Sequence, residues 1–246
     1  RKIETHRITR WIVAYAIAYA LLHITPVFLT RPVWGLMTLG DVVDFFTPFL
    51  LCLLVYAIYR VLIAEAVSEK SPLFRYRITG LMLIGGVMFV EGHGIHLAGN
   101  AIGRYLSPDI SPALYGLVYF FDEIWGHILW DGGLLLFSIG MILMAREVEF
   151  HSRSLIDVVW TALAGQWYGF TFFVNAVEGQ TVFFTFPLAI LIPVYVWQSV
   201  VRKRRSLFRN PVLTFFVIAY LVADLLFVIW YLWHRGFPEF SELGWI

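Results

Sequence analysis

The segment Glu91-Gly-His93-Gly-Ile-His96-Leu-Ala-Gly-Asn100 and the later segment Asp122-Glu123-Ile-Trp-Gly-His127-Ile-Leu-Trp-Asp131 hold three of the seven histidines beside four carboxylates and an asparagine. Both lie in otherwise apolar sequence, in a chain with only 14% Asp, Glu, Lys and Arg. An ionisable group in hydrocarbon costs about 2.5–3.5 kcal/mol on insertion scales, so this concentration marks a candidate functional site. On a regular helix His93, His96 and Asn100 share an arc of about 60°, whereas Glu91 points about 160° from His93 and joins them only if Gly92 and Gly94 loosen the turn. Glu123, His127 and Asp131 follow i, i+4, i+8 and form one stripe, with Asp122 about 100° off it.

Imidazoles and carboxylates from two helices suit Zn, Fe or Cu. The spacing assigns His93, His96 and His127 as ligands. Glu123, Asp131 and Glu91 are then a general base or the groups that orient the ligands, and Asn100 is a further orienting group. Zinc with three protein ligands and an open position would turn bound water into hydroxide near neutral pH. Haem is the alternative cofactor, with histidines of two helices as axial ligands. Asp122 and Asp224 are further candidates, Asp224 as a cluster member or proton relay within an apolar run. His23 and His234 read first as interfacial hydrogen-bonders that could complete a site. Asp41, Asp44, Asn175, Glu178 and Gln180 read as caps or pocket-mouth residues.

The elements that position these groups follow from composition. A hydrophobic content of 60% and a mean hydropathy of +0.76 exceed the range of soluble domains. Spans of about 20 helical residues fit a bilayer core, and that length divides the chain into seven. They run from Trp11 to Leu29, Phe45 to Ile63, Ile78 to Leu97, Ala113 to Ala145, Ile156 to Val177, Phe183 to Val201 and Val212 to Trp233. The expected fold is all-α: a single domain over residues 1–246, a bundle of seven transmembrane helices. The long fourth segment is expected to begin as an interfacial helix and cross once.

Seven spans place 15 of the 18 basic residues on one side, leaving Arg31, Arg104 and Arg235 on the other. The positive-inside rule then sets the N-terminus in the cytoplasm and the C-terminus outside, in a bacterial or archaeal cytoplasmic membrane. The outer half holds 11 of the 17 acidic residues, a pattern that suits a cation site. The glycines Gly85, Gly86, Gly92, Gly94, Gly99 and Gly103 give the third helix a smooth flank for close packing.

Several classes are excluded. The only lysines, Lys2, Lys70 and Lys203, lie in loops, so a retinal Schiff base has no seat in the seventh helix. The basic run from Arg202 to Arg205 reads as a topology determinant with affinity for anionic lipid headgroups, and no nucleic-acid partner is expected. The single cysteine, Cys52, rules out an internal disulfide. No internal repeat supports an inverted-repeat transporter.

Seven spans, an inside N-terminus and intramembrane histidines with acidic groups resemble the general plan of the alkaline ceramidase and adiponectin-receptor superfamily of membrane metal hydrolases. The superfamily's Ser-x-x-x-His segment and its paired His-x-x-x-His near the last helix have no counterpart here, and His234 stands alone. The resemblance therefore implies an architecture and assigns no residue. The expected function is a metal-dependent membrane enzyme, a hydrolase or an oxidoreductase, acting on a lipid or other apolar substrate from the outer leaflet. The alternatives are a haem or copper electron carrier and a proton- or cation-coupled transporter. Oligomeric state is left open.

Overall fold

Long apolar runs form helices because a backbone in hydrocarbon must satisfy its own N–H and C=O groups. The computed structural model describes residues 4–66, 72–151, 153–203 and 206–245. Arg1, Lys2, Lys70, Arg204 and Arg205 of the charge pattern lie outside the described residues. The helices are α1 (Thr5–Ile24), α2 (Leu39–Ala66), α3 (Pro72–Gly103), α4 (Pro112–Tyr119), α5 (His127–Ala145), α6 (Leu155–Glu178), α7 (Val182–Arg202) and α8 (Pro211–His234). A π-helical stretch, Phe120–Gly126, joins α4 and α5 into one rod, which leaves seven rods packed side by side.

Six of the described helical rods are long and apolar enough to cross a membrane, which marks the chain as a multi-pass membrane protein. The helix outside that set is α6. Its 24 residues reach about 36 Å at 1.5 Å per residue, but Asp157, Gln166, Tyr168 and Asn175 lower its hydropathy. It packs chiefly between α1 and α8, so Asp157, Tyr168 and Asn175 face protein, whereas Gln166 is exposed. Phe49, Leu53, Leu83, Val87, Leu225 and Leu232 instead stand exposed on the outer faces of their helices, as lipid-facing residues would.

Successive rods alternate in direction. Thr5, at the start of α1, donates to the carbonyl of His151 before α6. Asn210 caps α8 by accepting from the Leu213 N–H, and its amide donates to the Ala145 carbonyl at the end of α5. Those residues mark the N-terminal end of the bundle. At the opposite end α3 finishes, α4 begins, and a short antiparallel ribbon, β1 (Pro32–Trp34) with β2 (Met37–Thr38), links α1 to α2. Between α1, α6 and α8 the core is aromatic: Tyr15, Tyr19, Tyr168, Phe172, Phe215 and Tyr220 are fully buried, and the Tyr220 hydroxyl donates to Ser138 on α5.

The α3–α5 contact is the most extensive in the bundle and positions the site. A Cβ on Gly99 would stand 2.7 Å from Cβ of Asp122, and one on Gly92 would collide with the backbone of Trp130 and Gly126. Gly85 repeats the approach against Leu136 and Gly133. The working stripe is thus Gly85, Gly92 and Gly99. Nothing lies near Gly94, and the neighbours of Gly86 and Gly103 are at ordinary contact distance.

Candidate metal centre

The π stretch decides which polar groups converge. A wider i→i+5 turn breaks the 3.6-residue register assumed over Asp122 to His127. Asp122 consequently turns inward, buried against Gly99, and its Oδ1 comes to 2.8 Å from Nδ1 of His96. The two atoms approach without the alignment of a hydrogen bond. One turn further on, His127 Nε2 is 3.7 Å from a Glu123 oxygen. The His96 and His127 rings lie 4.7 Å apart, centre to centre, at 71°. His127 is 4% exposed, and neither of its ring nitrogens has a hydrogen-bond partner. Its ring rests on Gly179 at the end of α6, where a side chain would overlap it.

Trp130 forms the hub. The rings of His93, His23, His127 and His96 lie 4.5, 4.8, 5.1 and 5.3 Å from its centre. His93, on the same α3 face as His96, turns toward α2, where its Nε2 donates to the Asp44 carbonyl at 2.9 Å and sits 3.0 Å from the Asp44 carboxylate. His23 Nδ1 donates to the Tyr19 carbonyl at 2.7 Å. The remaining nitrogen of each, Nδ1 of His93 and Nε2 of His23, is buried without a partner. The three expected ligands are thus brought to one hub but divided around it, His96 with His127 and His93 with His23. Among the described residues, no group of three or more His, Cys, Asp or Glu has the arrangement of a metal-holding set.

The other expected residues are placed as follows. Asp131 is fully buried beside the hub, takes a hydrogen bond from the Thr181 hydroxyl, and keeps Oδ1 without a partner. Glu91 is exposed on the far face of α3, because α3 stays helical through Gly92 and Gly94. It borders an apolar groove of about 610 Å³ between α2 and α3, with Cys52 and Val87. Asn100 is exposed and lines a different, polar cavity. Asp224 stands on α8 with Oδ1 buried and no partner, and no hydrogen bond or ion pair links it to the hub among the described residues. His23, Asp44 and Trp130 are the members that spacing did not assign. Each belongs to a different helix from its partners or reads as an interface residue, so no periodicity exposes it.

The polar cavity, about 400 Å³, is bordered by Asn100, Arg104, Tyr119, Asp122, Glu123 and Glu239 and lies next to the His96/His127 pair through the two carboxylates. Arg104 reaches Asp41 at 2.5 Å. The segment after α8 folds over this end: the N–H groups of Phe240 and Ser241 donate to Glu178, Trp230 Nε1 donates to the Pro238 carbonyl, and Gln180 donates to Glu239. Burial raises the Glu239 carboxyl above the ordinary range. The Gln180 amide opposes that shift, and Glu178 and Glu242 reinforce it. No protein-family model, curated protein or solved structure matches the chain. The chemistry of the site therefore rests on its own atoms.

Those atoms are two imidazoles edge to face, two carboxylates and an adjoining polar cavity. Imidazole nitrogen and carboxylate oxygen are the donor types that zinc and iron take, but no three of these groups stand in a metal-holding arrangement among the described residues.

Proposed function

We propose that the protein is a metal-dependent membrane enzyme whose ion is held by His96 and His127, with Asp122 and Glu123 as further donors or proton acceptors. The observation that carries this reading is His127: a buried imidazole whose two nitrogens both lack partners, 4.7 Å from a second imidazole. An orphaned buried polar group costs about 1–3 kcal/mol, and a coordinated ion removes that cost. In this reading α6 is the seventh span, the N-terminal end faces the cytoplasm, and the cavity opens outward. Arg7, Arg10, Arg60, Arg75, Arg77 and Arg202 gather at the first end, against Arg31, Arg104 and Arg235 at the second. Water reaches the ion through the polar cavity. The half-exposed Phe120, Phe121 and Trp125 beside it offer a lipid-like substrate an apolar approach. Bound zinc would supply hydroxide for hydrolysis, and iron or copper would support oxidation.

Elemental analysis of gently purified protein tests the reading, wild type against His96→Ala and His127→Ala. One equivalent of metal that each substitution removes is the expected result. Well-folded wild type without metal, or metal undiminished in both variants, would overturn it, as would a haem Soret band in the wild type.

A further inference from the structure

We propose that His23 and His93, beside Trp130, form a second metal site, for a monovalent copper ion, separate from the His96/His127 centre. Each imidazole has one nitrogen fixed by an oxygen acceptor: His23 Nδ1–H on the Tyr19 carbonyl at 2.7 Å, and His93 Nε2–H on the Asp44 carbonyl at 2.9 Å. A carbonyl can only accept, so the proton sits on those nitrogens and the opposite nitrogens carry free lone pairs. Both lone pairs are buried without partners. An imidazole whose far N–H is tied to a carbonyl or carboxylate, with its near nitrogen free, is the usual state of a histidine ready to ligate.

The ring centres are 6.1 Å apart. One ion bound to both at about 2.0–2.1 Å per N–metal bond would set the centres about 5–6.5 Å apart, depending on the angle between the bonds. Distances of 4.8 and 4.5 Å from the indole put the midpoint of the two imidazoles about 3.5 Å from its centre, within the range at which a cation interacts with a tryptophan ring. A divalent ion demands more ligands than this pair supplies, since structural zinc takes four. Among the described residues no third His, Cys, Asp or Glu completes a set. Copper(I), with a filled d shell, accepts two nitrogens close to a line. Its single charge matches Asp44, a buried carboxylate that lies 3.0 Å from Nε2 of the neutral His93.

The test titrates chelator-stripped, detergent-purified full chain with copper(I) without oxygen, against a colorimetric copper(I) chelator. The expected result is one tightly held copper(I) that persists in the His96→Ala/His127→Ala double variant and is lost in His23→Gln and in His93→Gln. The metal that the purified double variant lacks relative to purified wild type reports on the enzyme centre, and the copper(I) that the stripped double variant takes up reports on the second site, so failure of either is visible alone. Uptake unchanged in the two glutamine variants would overturn the proposal, as would a folded wild type that takes up no copper(I), the behaviour expected if water occupies the two nitrogens. Where a glutamine variant elutes as aggregate, X-ray absorption of the copper-loaded wild type decides. Two imidazoles at low coordination support the site, and sulfur ligation or a single imidazole refutes it.

Discussion

His127 rests on Gly179 and stacks on Trp130 with no hydrogen bond to its ring, so in the proposed reading that glycine controls the metal centre without donating an atom to the ion. Gly179 has φ −83°, a value any residue adopts, so Gly179→Ala acts through the added methyl alone. It should turn the His127 ring and weaken metal retention about tenfold, as losses of orienting groups do, while the helix content stays unchanged. Competition with a metallochromic chelator measures this, and wild-type affinity in the variant would show that the ring is held otherwise. Arg235 offers a test of the opposite sign. It closes α8 in the left-handed region at φ 55°, which suits glycine better than a side chain. Arg235→Gly should raise stability by about 1 kcal/mol in a detergent melt. At this scale the sequence is a partial guide: types and spacing named His96, His127, Asp122 and Glu123. His23, read as an interfacial hydrogen-bonder that could complete a site, and Asp44, read as a cap or pocket-mouth residue, join through contacts between helices that one-dimensional spacing does not show.

Two elements set the site, the glycine stripe of α3 and the π stretch before α5. Gly92→Ala would drive a methyl into the backbone of Trp130 and Gly126. It should cost about 1–3 kcal/mol and loosen Trp130, read as a lowered unfolding midpoint with a shift in tryptophan emission. Gly94→Ala, with nothing within 4 Å, is the matched control and should be neutral or slightly stabilising. The position of each long helix was legible because about 20 apolar residues leave few alternatives to a span, but α2 and α3 run on to 28 and 32 residues, past the expected Phe45–Ile63 and Ile78–Leu97. The π stretch was not. Periodicity presumes one pitch throughout, and Asp122 is buried because the pitch changes at Phe120. The long fourth segment is one rod, Pro112–Ala145, whose first half carries that wider turn.

Across the whole molecule, the basic and acidic ends are separated by the length of the bundle, and the C-terminal segment closes the acidic end. Glu239 makes that closure sensitive to pH. Its folded pKa is raised, so the protonated form is favoured when the segment is docked. The stabilisation is complete below the ordinary glutamate pKa and is lost as pH rises through the elevated value. Hydrogen exchange of residues 237–245, corrected for intrinsic rates, should show protection falling over that rise, and Glu239→Gln should flatten the profile. Protection that grows with pH would contradict the assignment. The charge asymmetry along the bundle was readable from loop composition, whereas the return of the last residues was not. That return depends on Glu178 receiving the Phe240 and Ser241 amides, a pairing of groups sixty-odd positions apart. Docking of this segment has a practical corollary for anyone handling the protein. In the proposed reading, a polyhistidine extension after the docked segment would hang at the same end as the cavity leading to His96 and His127, at an effective concentration high enough to compete with them for an ion. The same extension ahead of Thr5 would sit across the full bundle from it and leave the centre undisturbed.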